Sequence, residues 1–236
     1  MDNAALTFAI GDVHGCFDKL DDLMRRCAAY AGPRPHQFVM LGDYIDRGPD
    51  SRSVVGRLRS LCQQRPDGIV CLRGNHEELL LAAVDDPSEF PLWIRNGGDT
   101  TLASYGAETP GGMPAGDIEW IRNLPLCHDD GLRFFVHAGI DPIVPLDRQV
   151  QHTMLWTRTH APDAFDPGRF IVHGHTPLRS NLPEQHPHRL NLDTGAVYGG
   201  PLSAAVFAAD QARPIALLVG ANIISANDTS EQAFQN

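Results

Sequence analysis

The chain has 236 residues, of which 42% are hydrophobic, and its 29 acidic and 19 basic residues give a net charge of -10. That length allows one large globular domain, and no apolar run approaches the ~20 residues that a transmembrane helix needs. The acidic balance argues against nucleic acid or an anionic membrane as the main partner. Because the first residues include an acid and their apolar stretch is short, we expect no signal peptide and a cytoplasmic protein.

The first half of the chain repeats one pattern three times: a short apolar strand, a glycine-bounded polar loop and a helix-like segment. LTFAI leads to GDVHG, QFVML to GDYIDRG and IVCL to RGNHE. After the first loop, apolar residues recur at helical spacing from Phe17 to Ala31, and Gly32 with Pro33 ends the helix. This order predicts a parallel sheet with right-handed crossovers, whose strands carry ligand-binding loops at their carboxyl ends.

The second half reads differently. Residues 85–125, which contain SEFPLWIRNGGD and DIEWIRNLP, are predicted to form a helical segment that covers the ligand-binding loops. LRFFVHAG follows the hairpin signal Asp130-Gly131, and NLDTGAVYGGPLSAAVF and PIALLVG predict paired strands. We therefore expect a mixed α/β fold, with a single domain over residues 1–221 and a frayed polar tail over residues 222–236.

The cysteines form no CxxC pair, so neither a disulfide framework nor a cysteine zinc site is predicted. We expect all five to be reduced and buried. No cysteine lies in an HCxxxxxR loop, which a cysteine-dependent phosphatase requires. Cys16, which directly follows GDVHG, is therefore not predicted to be a nucleophile. The five are Cys16, Cys27, Cys62, Cys71 and Cys127.

Five polar loops carry residues that bind metals. They are GDVHG (11–15), GDYIDRG (42–48), RGNHE (73–77), VHAG (136–139) and HGHT (173–176). Each is a weak signal alone, but together they supply carboxylate, amide and imidazole groups without thiolate, which favours manganese, iron or zinc over calcium. Six such groups are too many for one ion that keeps a position open for substrate. Two ions roughly 3.5–4 Å apart fit better, and that arrangement assists displacement at phosphorus.

The ordered set of loops resembles the phosphoprotein phosphatase branch of the calcineurin-like metallophosphoesterases, and its motifs span residues 10 to about 200. WIRNGGD (93–99), LWTR (155–158) and LDTGAVYGG (192–200) resemble segments of the bacterial and phage type. The resemblance implies a calcineurin-like α/β fold, in which a central β-sandwich of mixed sheets is flanked by helices. It also implies a dimetal site on the loops after the strands, with two divalent ions, manganese being expected and iron or zinc the alternatives.

The resemblance further implies a role for each site residue. One ion is implied to be held by Asp12, His14, Asp43 and His175, and the other by Asp43, Asn75 and His137, so that Asp43 bridges both. His76 is implied to be the general acid and Asp46 its orienting partner. The residues implied to bind the phosphate are Arg47 and Arg158, with Asn75 beside them.

Several residues have structural interpretations that compete with functional ones. His173 and His175 share a strand face, so either could ligate by geometry, and the family pattern selects His175. Glu77 is expected to support the start of a helix, and Arg73 either contacts substrate or forms a structural salt bridge. Trp93 and Trp156 are expected in the core. The histidines that match no motif, and are expected to be exposed or internally paired, are His36, His128, His152, His160, His186 and His188.

These residues predict an enzyme. We expect a metal-dependent phosphatase that hydrolyses phosphoserine and phosphothreonine monoesters of proteins, or small phosphoesters, by in-line attack of a hydroxide shared by two metals. The alternative is a symmetrical dinucleoside tetraphosphate hydrolase, but that group usually reads ARG and GNHD where this chain reads DRG and GNHE. A non-catalytic metal-binding scaffold would be expected to lack Asp43, Asn75 or His76, and all three are present.

Overall fold

The computed structural model describes residues 5–160 and 162–225. The strands in these ranges are β1 (Leu6–Ile10), β2 (His36–Met40), β3 (Ile69–Cys71), β4 (Cys127–Asp129), β5 (Arg133–Val136), β6 (Phe170–His173), β7 (Glu184–Gln185), β8 (Arg189–Asn191), β9 (Ser203–Ala208), β10 (Ala216–Val219) and β11 (Asn222–Ser225). The helices are α1 (Phe17–Ala31), α2 (Ser51–Gln64), α3 (Asn75–Asp85), α4 (Phe90–Trp93), α5 (Asp99–Tyr105), α6 (Ala115–Arg122) and α7 (Gln151–Trp156). None of these helices is long and apolar enough to cross a bilayer.

The strands form two mixed sheets. The first has the order β11-β10-β9-β1-β2-β3, with β1, β2 and β3 parallel and the other three strands antiparallel to their neighbours. The second has the order β4-β5-β6-β8-β7, in which β5, β6 and β8 are parallel. Strand–helix–strand connections require this parallel pairing, and the hairpins of the second half supply the antiparallel edges.

The alternation of side chains along each strand decides which layers pack together. In β1, Phe8 and Ile10 face the helices α1, α2 and α3, while Ala9 faces the second sheet. Phe135 and Val172 of the second sheet belong to the same core cluster as Ala9, so this cluster fills the interior between the two sheets. The outer face of the second sheet packs against Met154 of α7. The molecule is therefore a β-sandwich with helices on both outer faces, which confirms the predicted fold.

The three strand–loop–helix units have their predicted order, and α1 ends at Gly32, whose φ of 57° is the left-handed conformation that glycine adopts readily. The hairpin predicted around Asp130-Gly131 is the antiparallel pair β4 and β5. The segment predicted to be helical contains α4, α5 and α6, together with a π-helical turn over Ile94–Gly98.

Two boundaries differ from the prediction. Residues 192–202 are not a strand, because Gly195 and Gly199 take φ values of 70° and 95° that turn the chain out of the second sheet. Asn222–Ser225 belong to β11 instead of a frayed tail, because Gly220, at φ 51°, folds the chain back so that β11 pairs with β10. The rest of the predicted tail, residues 226–236, lies outside the described residues.

The five cysteines are all free thiols, as predicted. Their burial was predicted less well, because only Cys27 and Cys71 are buried. Cys16, Cys62 and Cys127 are half-buried.

Candidate active site

Five loops that leave the carboxyl ends of strands converge at one edge of the sandwich. Because β1, β2 and β3 are parallel, their carboxyl ends meet at the same edge of the first sheet, and β5 and β6 of the second sheet end beside them. The polar side chains brought together there are buried. They are Asp12 and His14 after β1, Asp43 and Asp46 after β2, Asn75 and His76 after β3, His137 after β5, and His175 after β6.

Asp43 occupies the centre of this cluster. Its Oδ2 lies 3.4 Å from Nε2 of His14, and its Oδ1 lies 3.4 Å from Nε2 of His137. Two groups of three residues each bring their ligand atoms within 4.8 Å of one another, and Asp43 belongs to both. One group adds His14 and His76, and the other adds His137 and His175. The two oxygens of the Asp43 carboxylate therefore face different groups: Oδ2 lies near His14 and Oδ1 near His137.

The hydrogen bonds of two histidines direct their second nitrogen toward Asp43. Nδ1 of His14 lies 2.8 Å from the carbonyl oxygen of Ile45, and Nδ1 of His137 lies 2.8 Å from that of Leu41. Each Nδ1–H donates to the backbone, which assigns the tautomer and leaves the lone pair of Nε2 facing the cluster. This is the orientation that a metal ligand requires.

Acceptor atoms also converge on Asn75. Its Oδ1 lies 2.8 Å from Nε2 of His137 and 2.8 Å from Nδ1 of His175, and Nε2 of His175 has no hydrogen-bond partner among the described residues. Because His137 carries its proton on Nδ1, its Nε2 and Oδ1 of Asn75 are two buried acceptors that face each other, which is unfavourable unless a cation lies between them. Because imidazole, carboxylate and amide oxygen suit borderline divalent ions, these residues fit a pair of such ions.

The charges of the cluster support the same interpretation. Burial, and then the carboxylates of Asp193 and Asp43, raise the pKa of Asp12 well above its usual value. Burial opposes ionisation of Asp43 too, but the neighbouring imidazoles, led by His137, outweigh it and lower its pKa. Burial also lowers the pKa of His14 to about 3, so that this imidazole is neutral at physiological pH. Neutral imidazoles and crowded carboxylates are a set that divalent ions stabilise.

His76 and Asp46 form a buried pair beside the cluster. Nδ1 of His76 lies 2.7 Å from Oδ2 of Asp46, and both side chains are almost completely inaccessible to solvent. Burial alone would lower the pKa of His76, but the carboxylates of Asp43 and Asp46 outweigh it and raise the pKa above its usual value. The pair therefore favours an imidazolium that is held in one orientation.

The two predicted phosphate-binding arginines differ in their placement. Arg47 is half-buried, and its Nη1 donates to Nε2 of His14 at 2.8 Å, while its guanidinium lies 5.8 Å from the ring centre of Tyr198. Arg158 is exposed. Burial, and then the charges of His137 and Arg158 among others, lower the pKa of His175 to about 3.

The six predicted metal residues are buried at this edge, but two are placed differently from the prediction: Asp12 belongs to neither group of ligand atoms among the described residues, and His175 lies in the second group. We expected His175 to share an ion with Asp12 and His14, whereas its side chain packs against Asn75 and His137. Only its backbone N–H reaches Asp12, at 3.1 and 3.2 Å from the two oxygens. The reason is the left-handed backbone of His175, with φ 66°, which points the imidazole toward the second group.

The residues with competing interpretations are mostly structural. Glu77 accepts hydrogen bonds from the backbone N–H groups of Asp43, Tyr44 and Gly74, so it supports the loops and the start of α3, as predicted. Arg73 forms an ion pair with Glu78, with its Nη1 at 3.0 Å from the carboxylate.

The remaining histidines and tryptophans also have the expected places. His173 is buried with its ring centre 4.5 Å from that of His160, and it belongs to neither group of ligand atoms. None of the six histidines without a motif belongs to such a group among the described residues. Trp93 is fully buried, and Trp156 is half-buried with its ring near that of His175.

Two residues of the site were not predicted. Asp193 is buried directly after β8, and burial, with a contribution from Asp43, raises its pKa to about 6. Its signal in the sequence is an acid just after a short strand and before a glycine, within the segment LDTGAVYGG. Thr101 donates a hydrogen bond to Asp46 from a helix 55 positions away in the chain, and no local pattern signals that contact.

Comparison with known proteins gives one consistent family. The family model described as calcineurin-like phosphoesterase matches residues 7–211. The chain is 32% identical to serine/threonine-protein phosphatase 1 of Salmonella typhimurium over 208 residues, which cover 84% of this chain and 90% of that protein. It is 35% identical over 140 residues to a symmetrical bis(5'-nucleosyl)-tetraphosphatase of Dechloromonas aromatica, which cover 58% of this chain but only 44% of that relative.

Among solved structures, the chain is similar to the crystal structure of a candidate diadenosine tetraphosphatase. The TM-score is 0.66 at 27% identity, and the match covers 93% of this chain and 95% of the other. The shared fold, the matching family model and the full-length relative agree with the buried two-group cluster. The chain therefore belongs to the calcineurin-like phosphoesterase family.

Proposed function

We propose that this protein is a serine/threonine phosphoprotein phosphatase that uses two divalent metal ions, with manganese as the preferred metal. The observation that carries the proposal is the position of Asp43, whose two oxygens face separate imidazole groups while the His76–Asp46 pair lies beside them. Its substrates are phosphorylated proteins, and small phosphomonoesters serve as assay substrates.

Each ion is assigned its own residues. His14 would hold one, together with Asp12 as the family resemblance implies, and Asn75, His137 and His175 would hold the other, with Asp43 shared. When bound, the two ions would activate water for attack on phosphorus and neutralise the charge of the phosphoryl group. The grouping rests on the Asp43 geometry and on the contacts of Asn75.

The arginines orient the phosphoryl group. Arg47 reaches the cluster from the loop after β2, and a guanidinium binds two phosphoryl oxygens in a planar, bidentate geometry. Arg158, which is exposed, binds the negative charge of the phosphoryl group as the substrate enters the site. Together they place phosphorus in line with the attacking water.

His76 protonates the leaving group. Its Nδ1–H donates to Asp46, so the Nε2–H is available to the leaving serine or threonine oxygen. The carboxylates of Asp43 and Asp46 raise the pKa of His76 and so favour this protonated form. An alkoxide is a poor leaving group, so this proton transfer matters more for protein substrates than for activated aryl esters.

A second function, hydrolysis of dinucleoside tetraphosphates, is supported by the similarity to the symmetrical tetraphosphatase and to the candidate diadenosine tetraphosphatase structure. One feature of the sequence favours the phosphatase over the symmetrical tetraphosphatase: Asp46 lies in a DRG loop, where that group usually reads ARG.

The test is a side-by-side assay of manganese-loaded protein on a phosphothreonine peptide and on diadenosine tetraphosphate, with Asp43→Asn as the inactive control. We expect turnover of the peptide that exceeds turnover of the dinucleotide. Hydrolysis of the dinucleotide alone would select the second function. A protein that binds two ions and hydrolyses neither substrate would contradict both.

A further inference from the structure

The carboxylate of Asp46 is held by more than its contact with His76. Nε1 of Trp93 donates to Oδ1 at 3.1 Å and to Oδ2 at 3.0 Å, and the hydroxyl of Thr101 donates to Oδ1 at 2.7 Å. Both donors are buried, at 0% exposure, and both come from the helical segment between α3 and α6. Both oxygens of this carboxylate therefore accept hydrogen bonds from buried donors.

The Thr101 hydroxyl contacts Asp46 twice. Its oxygen accepts a hydrogen bond from the backbone N–H of Asp46 at 2.9 Å, and Oδ1 of the same residue, at 2.7 Å, is a closer acceptor for its proton than the Ser51 hydroxyl at 3.1 Å. One side chain thus ties both the backbone and the carboxylate of Asp46. Oδ2 accepts from Nδ1–H of His76 at 2.7 Å, beside its longer contact with Nε1 of Trp93 at 3.0 Å.

The same segment supports the backbone of the turn. Asp46 and Arg47 have φ values of 72° and 68°, in the left-handed region that is unfavourable for a non-glycine residue. The carbonyl oxygen of Gly97 accepts the N–H of Arg47 at 3.1 Å. A Cβ at Gly97 would lie 2.8 Å from that nitrogen, so glycine permits the close approach.

We infer that Trp93 and Thr101 are positioning residues for catalysis: they hold the Asp46 carboxylate so that it orients His76 as the general acid. This inference rests on the proposed function. The carboxylate torsion of aspartate has a broad energy minimum, so a carboxylate without these donors rotates and the imidazole loses its fixed direction. Misorientation lowers the rate of proton transfer to the leaving group without changing how the phosphate binds.

The experiment compares leaving groups. Thr101→Val and Trp93→Phe each remove a donor and keep most of the packing volume. On phenyl phosphate, a poor leaving group, we expect kcat to fall about 10-fold for each variant, which is part of the roughly 10² to 10⁴ that general acid catalysis supplies. On 2,4-dinitrophenyl phosphate, which leaves without a proton, kcat should stay within about twofold, and KM should be unchanged on both.

Matched controls remove the same groups elsewhere. Thr7→Val deletes a buried threonine hydroxyl that contacts Gln37, and Trp120→Phe deletes an indole that packs near Tyr44. Neither should change the ratio of the two kcat values. In metal-free protein, the downfield imidazole N–H resonance of His76, assigned by its loss in His76→Asn, should shift in Thr101→Val and stay in place in Thr7→Val.

The His76→Asn background separates this inference from the proposed function. If His76→Asn slows phenyl phosphate selectively, and Thr101→Val adds no further loss in that background, the inference holds. Equal losses on both substrates, or a further loss on top of His76→Asn, would show a purely structural role and overturn it. If His76→Asn itself shows no dependence on the leaving group, the acid role in the proposed function fails, and the inference fails with it.

Discussion

Close backbone contacts let the side chains of the site approach one another. Gly174 lies between the two histidines of HGHT, and a Cβ at this position would overlap Oδ1 of Asp12. Gly74 has the same relation to Oδ1 of Asp43. Glycine is therefore required here because carboxylates pack directly against backbone, and not because of an unusual φ.

Gly174→Ala should fold and lose metal affinity. The added methyl displaces the Asp12 carboxylate, so we expect metal binding to weaken by at least about 10-fold, in line with the effect of disturbing the residues that orient ligands. Isothermal titration with Mn²⁺ measures it. The matched control is Gly56→Ala in α2, where no atom lies within 4 Å of the new methyl. Equal affinity in the two variants would contradict the placement of Asp12.

Cys62 should be the most reactive of the cysteines near neutral pH. Its Sγ lies 3.7 Å from that of Cys71, and this hydrogen bond is the main cause that lowers its pKa to about 7, whereas burial raises the pKa of Cys27 to about 12. Because only the thiolate reacts, alkylation of Cys62 should rise through pH 7 and level off above it. Mass spectrometry after iodoacetamide treatment measures the rate.

The control for this prediction is Cys71→Ala. Removing the S–H donor should move the alkylation profile of Cys62 to higher pH. An unchanged profile would mean that the Cys71 contact does not lower the pKa.

At the scale of elements, the helical segment over residues 87–122 is joined to the sandwich by polar contacts as well as apolar ones. Asp117 of α6 accepts hydrogen bonds from Arg59 of α2 at 2.6 Å and from the Tyr105 hydroxyl at 3.2 Å. Both acceptor oxygens are thus used, and Asp117 is buried. The contact ties α6 to α2 and α5, and so supports the segment that holds Asp46.

Asp117→Ala should lower the free energy of unfolding by about 1.5–3 kcal/mol, because it removes charged hydrogen bonds and leaves the Tyr105 hydroxyl without its acceptor. Urea unfolding measures the change. Asp85→Ala is the control, since Asp85 pairs with Arg122 at the surface and its loss should have little effect. A change in Asp117→Ala no larger than that in Asp85→Ala would contradict the proposed role of this contact.

Local patterns predicted the elements whose signal is complete within a few residues. The strand before each polar loop, α1 and the β4–β5 hairpin have apolar periodicity bounded by glycine or a turn pair. Patterns failed where a distant pairing decides the structure. LDTGAVYGG is apolar enough to read as a strand, but the two positive-φ glycines make it a loop. β11 is short and forms because β10 offers it an edge.

At the scale of the whole molecule, the site exists because two sheets end at the same place. Loops of the first sheet supply Asp12, Asp43 and Asn75, and loops of the second supply His137 and His175. The sequence predicts that these loops meet, since parallel strands share a carboxyl edge. It does not predict which imidazole faces which oxygen, because this depends on backbone torsions such as the positive φ of His175.

Metal removal should affect stability as well as activity. Without ions, the carboxylates of Asp12, Asp43 and Asp193 repel one another, as the raised pKa of Asp12 indicates. We expect a chelator to abolish phosphatase activity and lower Tm, and Mn²⁺ to restore both. Binding at 100-fold excess over Kd stabilises a folded protein by about 2.7 kcal/mol per site. A Tm that is the same with and without Mn²⁺ would contradict the assignment of the ions to this cluster.

The central claim is that Asp43 is shared by two metal ions. Electron paramagnetic resonance of the protein loaded with Mn²⁺ tests it directly, because two ions that share a carboxylate couple magnetically and isolated ions do not. We expect a coupled two-ion spectrum for the unaltered protein, and either a single-ion spectrum or loss of one ion for Asp43→Asn. A coupled spectrum that persists in Asp43→Asn, or uncoupled ions in the unaltered protein, would contradict the account.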